Sequence, residues 1–286
     1  MWILLAIGSA VFAGLAAVLA KCGLKNMDST VATAYRIVFV AIFTWAAVAI
    51  NGSYSELGSI SDRSWIFLLL SGFTTGASWL CFFKALQLGN VNKVVPVDKT
   101  SNVLAIVFAI VFLGEMLSGI GFIGVALILV GTVMMIEMRD VSEVKNEHSG
   151  WLIFAIGSAV FAAMTSTLGK IGVSGVDPIL GTAIRTIVVL AMTWAMVYLL
   201  KRQHEVVEVG RKDVFFIILF GLARAVSWIC FFSALQTGPA SIIVPIDKLS
   251  ILVTVMFAYL VFKERLSRKS AIGLAIIVGG TLLLMV

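Results

Sequence analysis

The string AIGSAVFA at residues 6–13 returns unchanged at 155–162, an offset of 149 that then holds without a gap as far as the GT at 131–132 and 280–281. It superposes Arg36 on Arg185 and TWA at 44–46 on TWA at 193–195. It also superposes SWLCFFKALQLG at 78–89 on SWICFFSALQTG at 227–238, and PVDK at 96–99 on PIDK at 245–248. Self-similarity sustained over that length marks a duplication.

The hydrophobic pattern says what was duplicated. The 286 residues are 60% hydrophobic, with a mean hydropathy of +1.09. Apolar residues fall in ten blocks near 2–20, 30–50, 64–86, 92–113, 118–137, 151–169, 178–200, 213–236, 241–262 and 269–286. Each is long enough to cross a hydrocarbon core of roughly 30 Å as a helix. The expected fold is an all-α polytopic membrane protein of ten transmembrane helices, with a first repeat at 1–137, a linker at 138–150 and a second repeat at 151–286. Five spans per repeat is an odd number, so the second copy must enter the bilayer upside down. Two inverted five-helix halves are the architecture of many secondary transporters. The first block lacks a basic leader and has a near-copy mid-chain, so it reads as a span and not as a signal peptide.

Basic residues set the orientation. Connections after spans 1, 3, 5, 7 and 9 hold most of them, among them Lys25, Arg139, Lys145, Lys201, Arg202, Lys263 and Arg265; the opposite connections hold only Arg63 and Lys170. By the positive-inside rule the basic face is cytoplasmic, which places both termini outside, in a cell membrane. The net charge of +6 comes from these connections and from cations within the spans, with no basic run of five and no aromatic interleaving to suggest nucleic-acid binding. Cys81 and Cys230 lie within apolar blocks and read as packing residues, and His148 and His204 fall in connections, so no metal site and no cofactor are expected. No nucleophile, phosphate-loop or zinc-protease motif is present, which argues against an enzyme.

The residues of greatest interest are charges inside spans: Arg36, Asp98, Lys99, Arg185, Arg224, Asp247 and Lys248. A charge at a helix centre costs roughly 2.5–3.5 kcal/mol on insertion scales, so each needs a partner or an aqueous cavity. Counting residues from the span ends, at 1.5 Å each, puts Arg36 and Asp98 about 10 Å below the basic face. Arg185 and Asp247 sit equally deep from the other face. Two symmetry-related ion pairs, Arg36–Asp98 and Arg185–Asp247, are therefore expected, with the aspartates holding the arginines or exchanging protons. Lys99 and Lys248 point about 100° away from their neighbouring aspartates and are expected to line a cavity. Arg224 is near the midplane and has Thr75 as its repeat counterpart, so it breaks the symmetry; a guanidinium there suits a carboxylate or phosphate. Trp79 and Trp228, with the Phe pairs that follow them, are candidates for the apolar wall of a site. Pro96 and Pro245 are expected to kink their spans, Glu115 and Glu264 to act at the interface, and Gly121, Gly124, Gly131, Gly273 and Gly280 to pack spans 5 and 10 closely.

The opening span, the FFKALQLG and FFSALQTG endings of the third and eighth spans, the VVPVDK and IVPIDK strings and the IGVALILVGT and IGLAIIVGGT spans together resemble the EamA family of the drug/metabolite transporter superfamily, over essentially the whole chain. The resemblance implies a central cavity surrounded by spans 1, 3, 4, 6, 8 and 9, and each half resembles stand-alone five-helix members that pair as antiparallel dimers. Two departures stand out. Many ten-helix relatives keep both termini in the cytoplasm, against the charge bias here. The small multidrug branch carries a glutamate in its first span, where this chain has no acid, which weighs against cationic drug efflux. The expected function is a secondary transporter moving a small polar metabolite, anionic or zwitterionic, by alternating access in a lipid bilayer. Lys99, Lys248, Arg224, Trp79 and Trp228 would contact the solute. The expected unit is a monomer of two pseudo-symmetric halves, with a homodimer left open. A lipid-linked carrier that grips a phosphate headgroup and a non-transporting scaffold are the alternatives.

Overall fold

A computed structural model describes residues 1–23, 29–89, 91–135, 150–203, 211–262 and 267–285. Lys25, Arg139, Lys145, His148, His204, Lys263, Glu264, Arg265 and the linker 138–149 lie outside the described residues. The first repeat forms helices α1 (Trp2–Gly23), α2 (Ser29–Asn51), α3 (Asp62–Leu88), α4 (Val91–Lys99), α5 (Ser101–Leu113) and α6 (Gly119–Met135). The second forms α7 (Trp151–Gly172), α8 (Pro178–Leu199), α9 (Arg211–Thr237), α10 (Ala240–Lys248), α11 (Ser250–Phe262) and α12 (Arg268–Leu283). Among the described residues, eight helical segments are long and apolar enough to cross a membrane, while α6 and α12 are shorter at 17 and 16 residues. Large apolar side chains such as Ile42, Ile66, Phe122, Ile153, Phe215 and Leu260 stand exposed around the bundle. Water would oppose that surface and hydrocarbon would not.

Helix ends follow local rules. Asp177 caps α8 by accepting from the N–H groups of Ile179 and Leu180 at 3.0 Å each, with Pro178 opening the first turn. Ser61 and Ser267 cap α3 and α12 in the same way, through Ser64 N–H and Ser270 N–H. The fourth and ninth spans are each broken in two shortly after their prolines. At the first break Thr100 N–H turns to Val97 O at 3.1 Å, and at the second Leu249 N–H turns to Ile246 O at 2.9 Å. Each proline lies inside its short helix, and about one turn later the chain leaves that helix through a tighter three-residue turn. Asp98 and Lys99, and Asp247 and Lys248, are the last residues before these breaks.

The packing demonstrates inversion directly. Helix α2 and its repeat copy α8 run antiparallel: Val31 shares a cluster with Val197, Val40 with Val189, and Val48 with Leu180. Val40 and Val189 are equivalent under the 149-residue offset and both are fully buried, so they sit at the pseudo-two-fold axis. The same symmetry governs the other self-pair, α6 against α12. A methyl group on Gly124 would meet Gly280 O at 2.6 Å, and one on Gly131 would meet Gly273 O at 2.6 Å. Only glycine lets two backbones approach that closely. Gly121 does not join this seam; its space is filled by Leu117 and Ser118 at the start of its own helix. The remaining long contacts exchange between repeats, α1 with α9 and α3 with α7. Cys230 lies over Gly8, and Cys81 lies over the equivalent Gly157.

Candidate functional site

A cavity of about 520 Å³ opens where the exchanged pairs meet. That is the size range of small-molecule sites. Spans 1, 3, 4, 6, 8 and 9 line it as the resemblance implied, but spans 2 and 7 line it too and bring in Arg36 and Arg185. Trp79, Phe82 and Phe83 from α3 face Phe220, Trp228 and Phe231 from α9 across it. The two ends differ. Ala20 and Thr33, at the junction of α1 and α2, line the cavity, whereas their repeat counterparts Gly169 and Thr182 are buried and do not. The cavity therefore reaches toward the basic face and is closed toward the other.

The expected ion pairs within each repeat are not formed; among the described residues no carboxylate lies within ion-pair distance of Arg36, Arg185 or Arg224. Asp98 instead accepts a hydrogen bond from Ser158 Oγ at 2.6 Å, and Ser158 lies 3.3 Å from Ser78 Oγ. The second half repeats this chain, with Asp247 accepting from Ser9 Oγ at 2.5 Å and Ser9 lying 3.5 Å from Ser227 Oγ. Each aspartate is held by the opening span of the other repeat. Equal depth was a sound estimate, but depth is one coordinate of three. The close antiparallel approach of small-residue helices puts a hydroxyl donor beside each carboxylate before an arginine can reach it. Asp247 and Lys248 line the cavity, while Asp98 and Lys99 are not among its lining residues. Lys99 is exposed and within electrostatic reach of both Asp98 and Lys248.

The two equivalent arginines have different surroundings. Arg185 is 2% exposed; its Nε donates to Ser71 Oγ at 2.9 Å, its Nη2 to Thr75 Oγ1 at 3.2 Å, and its guanidinium lies 3.8 Å from the Phe232 ring centroid. Ser71 in turn donates to Thr165 O at 2.6 Å, which fixes its oxygen as an acceptor for Arg185. Arg36 is only half-buried and makes one long bond, Nη2 to Ala20 O at 3.4 Å, with its guanidinium over Phe220 at 4.9 Å. Arg224 lies beside the same ring, at 5.8 Å, and within the field of Asp247.

At the closed end, Glu115 gathers three donors. Lys170 Nζ approaches at 2.6 Å, Ala240 N–H at 2.7 Å and Ser241 N–H at 2.8 Å, so one carboxylate caps α10 and ties it to the end of α7. Lys170 also donates to Gly238 O at 2.8 Å. Burial by itself would raise the Glu115 pKa, but the bonds from Lys170, Ser241 and Ala240 outweigh it and hold the carboxyl below its ordinary value.

Sequence reasoning passed over the hydroxyls. Ser9, Ser71, Thr75, Ser78, Ser158 and Ser227 hold the buried charges, and the available signal was that Ser9/Ser158 and Ser78/Ser227 recur at equivalent positions of apolar helices.

The sequence matches the EamA-like transporter family over residues 1–137 and 149–286. A curated relative from Sinorhizobium sp., described as an uncharacterized transporter in the cobO 3' region, is 42% identical over 134 residues, covering 47% of this chain and 95% of its own. A solved crystal structure superposes with a TM-score of 0.81 at 18% identity, over 99% of this chain and 94% of that one, so the two share a fold. With the family matched across both repeats and the fold shared along nearly the whole length, the chain belongs to the EamA-like transporter family of the drug/metabolite transporter superfamily and is a multi-pass membrane transporter.

Proposed function

We propose that this protein is a secondary transporter that carries a small anionic or zwitterionic metabolite by alternating access. The observation that carries this reading is the charge of the cavity, lined among the described residues by Arg36, Arg185, Arg224 and Lys248 against one acid, Asp247. Cations that line an intramembrane cavity attract a solute of opposite sign, and low-dielectric aromatic walls strengthen the attraction. Trp79 and Trp228 supply those walls, Arg224 and Lys248 contact the solute, and Lys99 stands near Lys248 to draw anions inward. Asp98 and Asp247, each bonded to a serine of the other repeat, are the candidates for proton exchange as the halves rock.

Closure at the Glu115–Lys170 end and access from the basic face correspond to an inward-facing state if the basic face is cytoplasmic. The test is uptake and counterflow in proteoliposomes across a panel of carboxylates, phosphate esters, neutral and cationic metabolites. Replacing Arg224 with Gln is expected to abolish transport of the accepted solute while purified protein keeps its elution profile and melting behaviour. Unchanged uptake kinetics in Arg224→Gln would overturn the assignment.

A further inference from the structure

We infer that Arg36 and Arg224 form a two-guanidinium clamp, and that the solute it receives is a dianion, a dicarboxylate or a phosphate monoester. This rests on the transport reading of the same cavity and sharpens it to a charge state. The argument begins with the repeat. Arg185 shows how an arginine at this position can be held by the protein: two hydroxyl acceptors, Ser71 for Nε and Thr75 for Nη2, and an aromatic face, Phe232, with only Nη1 left buried and unpartnered. The 149-residue offset maps Arg185 onto Arg36, but it maps Ser71 onto Phe220 and Thr75 onto Arg224. Both acceptors are therefore lost in one half, the first to a ring and the second to another cation.

The geometry carries the consequence. The Arg36 and Arg224 guanidinium carbons stand 4.9 and 5.8 Å from the centroid of the same Phe220 ring, and the charge of Arg224 reaches Arg36. Arg36 Nε is buried with no hydrogen-bond partner, and among the described residues no carboxylate lies within ion-pair distance of Arg224. Asp247, whose charge reaches Arg224, accepts from Ser9 on Oδ1 and lies beyond ion-pair distance of Arg224. Two guanidinium groups thus lie against one aromatic ring, and beyond the long bond from Arg36 Nη2 to Ala20 O they have no hydrogen bond to the protein among the described residues. Like charges held together in an apolar-walled cavity destabilise the empty state, and an oxyanion offering several acceptor oxygens satisfies both guanidinium groups at once. Counting lining charges selects the valence. Arg36, Arg185, Arg224 and Lys248 against Asp247 leave three positive charges, so a monoanion leaves the cavity strongly cationic whereas a dianion neutralises the clamp itself.

The experiment uses the full chain in a neutral detergent, titrated at mildly alkaline pH with succinate, with glycerol 3-phosphate, and with acetate at matched ionic strength, followed by thermal shift and calorimetry. Saturable stabilisation by succinate or by glycerol 3-phosphate, and not by acetate, is expected; which of the two acts identifies the carboxylate or the phosphate source. The decisive variant is Phe220→Ser with Arg224→Thr, which rebuilds around Arg36 the surroundings that Arg185 already has. It is expected to melt lower, because a buried ring is removed, but to keep the parent's elution profile. Its dianion affinity is expected to fall by about tenfold to a hundredfold, the loss that follows removal of charged hydrogen bonds. Acetate binding as tightly as either dianion, or dianion affinity unchanged in the double variant, overturns the clamp. Counterflow separates the two readings. Movement of a neutral or cationic solute with no dianion binding refutes the clamp and leaves the carrier standing, while dianion binding without movement upholds the clamp and refutes the carrier.

Discussion

A buried arginine is tolerated when enough of its donors are matched, and Arg185, with two hydroxyl acceptors, and Arg36, with one long bond to a carbonyl, are the same residue of one ancestral unit in different surroundings. Removing both acceptors of Arg185, by Ser71→Ala with Thr75→Ala, leaves a fully buried guanidinium with neither of its hydrogen bonds. That is expected to cost about 3–5 kcal/mol, the range for stripping a buried charge of its partner, read as a lower melting temperature in detergent. Arg36→Gln, by contrast, gives up one long bond to Ala20 O and relieves repulsion from Arg224. Its melting temperature is expected to equal or exceed the parent's, because groups poised for a ligand are held at the expense of stability. The serines beside Asp98 and Asp247 belong to the same scale. Each carboxylate is stabilised by one charge-assisted hydrogen bond from another helix and does not need an arginine as its partner.

At the scale of elements, the broken spans and the closed mouth are linked. Helix α10 starts at the closed face and ends at the break that carries Asp247 and Lys248, and Glu115 holds its first turn. A carboxyl whose pKa is depressed in the folded state contributes stability that is present above its unfolded value and is lost as pH falls through the folded one. The ordinary value for Glu115 is 4.5, and its folded pKa lies below that. Stability is therefore expected to decline as pH falls below about 4.5, and Glu115→Gln is expected to flatten that part of the melting-temperature profile. At neutral pH the same substitution loses the cap and the pair with Lys170, a cost of about 1–2 kcal/mol on the scale of helix caps. An identical acid limb in the variant would assign the pH response to other carboxyls.

For the whole molecule, the inverted duplication makes the two faces equivalent in design and the observed state makes them unequal in fact. One end of the cavity is stoppered by Glu115, Lys170 and the buried Arg185 cluster, and the other admits Ala20, Thr33 and Arg36 to the cavity surface. Orientation is a property of the entire chain and is tested as one. In a protein whose Cys22, Cys81 and Cys230 are replaced by serine, Ser55→Cys in the connection between α2 and α3 is expected to react with an impermeant maleimide from outside intact cells. Gln203→Cys, beyond α8, is expected to react only after permeabilisation; both positions are exposed. The reverse pattern would put the basic face outside and reverse the sidedness of the cavity mouth.

The sequence by itself determined the membrane class, the odd-numbered duplication and hence the inversion, because hydropathy and repeat identity are properties of the chain in order and need no third dimension. It also singled out the charged residues, since any ionised group in an apolar span demands an explanation. Which charge meets which neighbour was decided only by the tertiary structure. Depth along a span can be counted from residue numbers, but the rotation of each helix and the identity of its close partner arise from small-residue packing between the repeats, such as Ser9 against Ser227 and Gly124 against Gly280. That packing gave the aspartates to serines of the opposite repeat and matched Arg185 with two hydroxyls. It left Arg36 and Arg224 against the same Phe220 ring, where the two halves of the duplication are no longer the same.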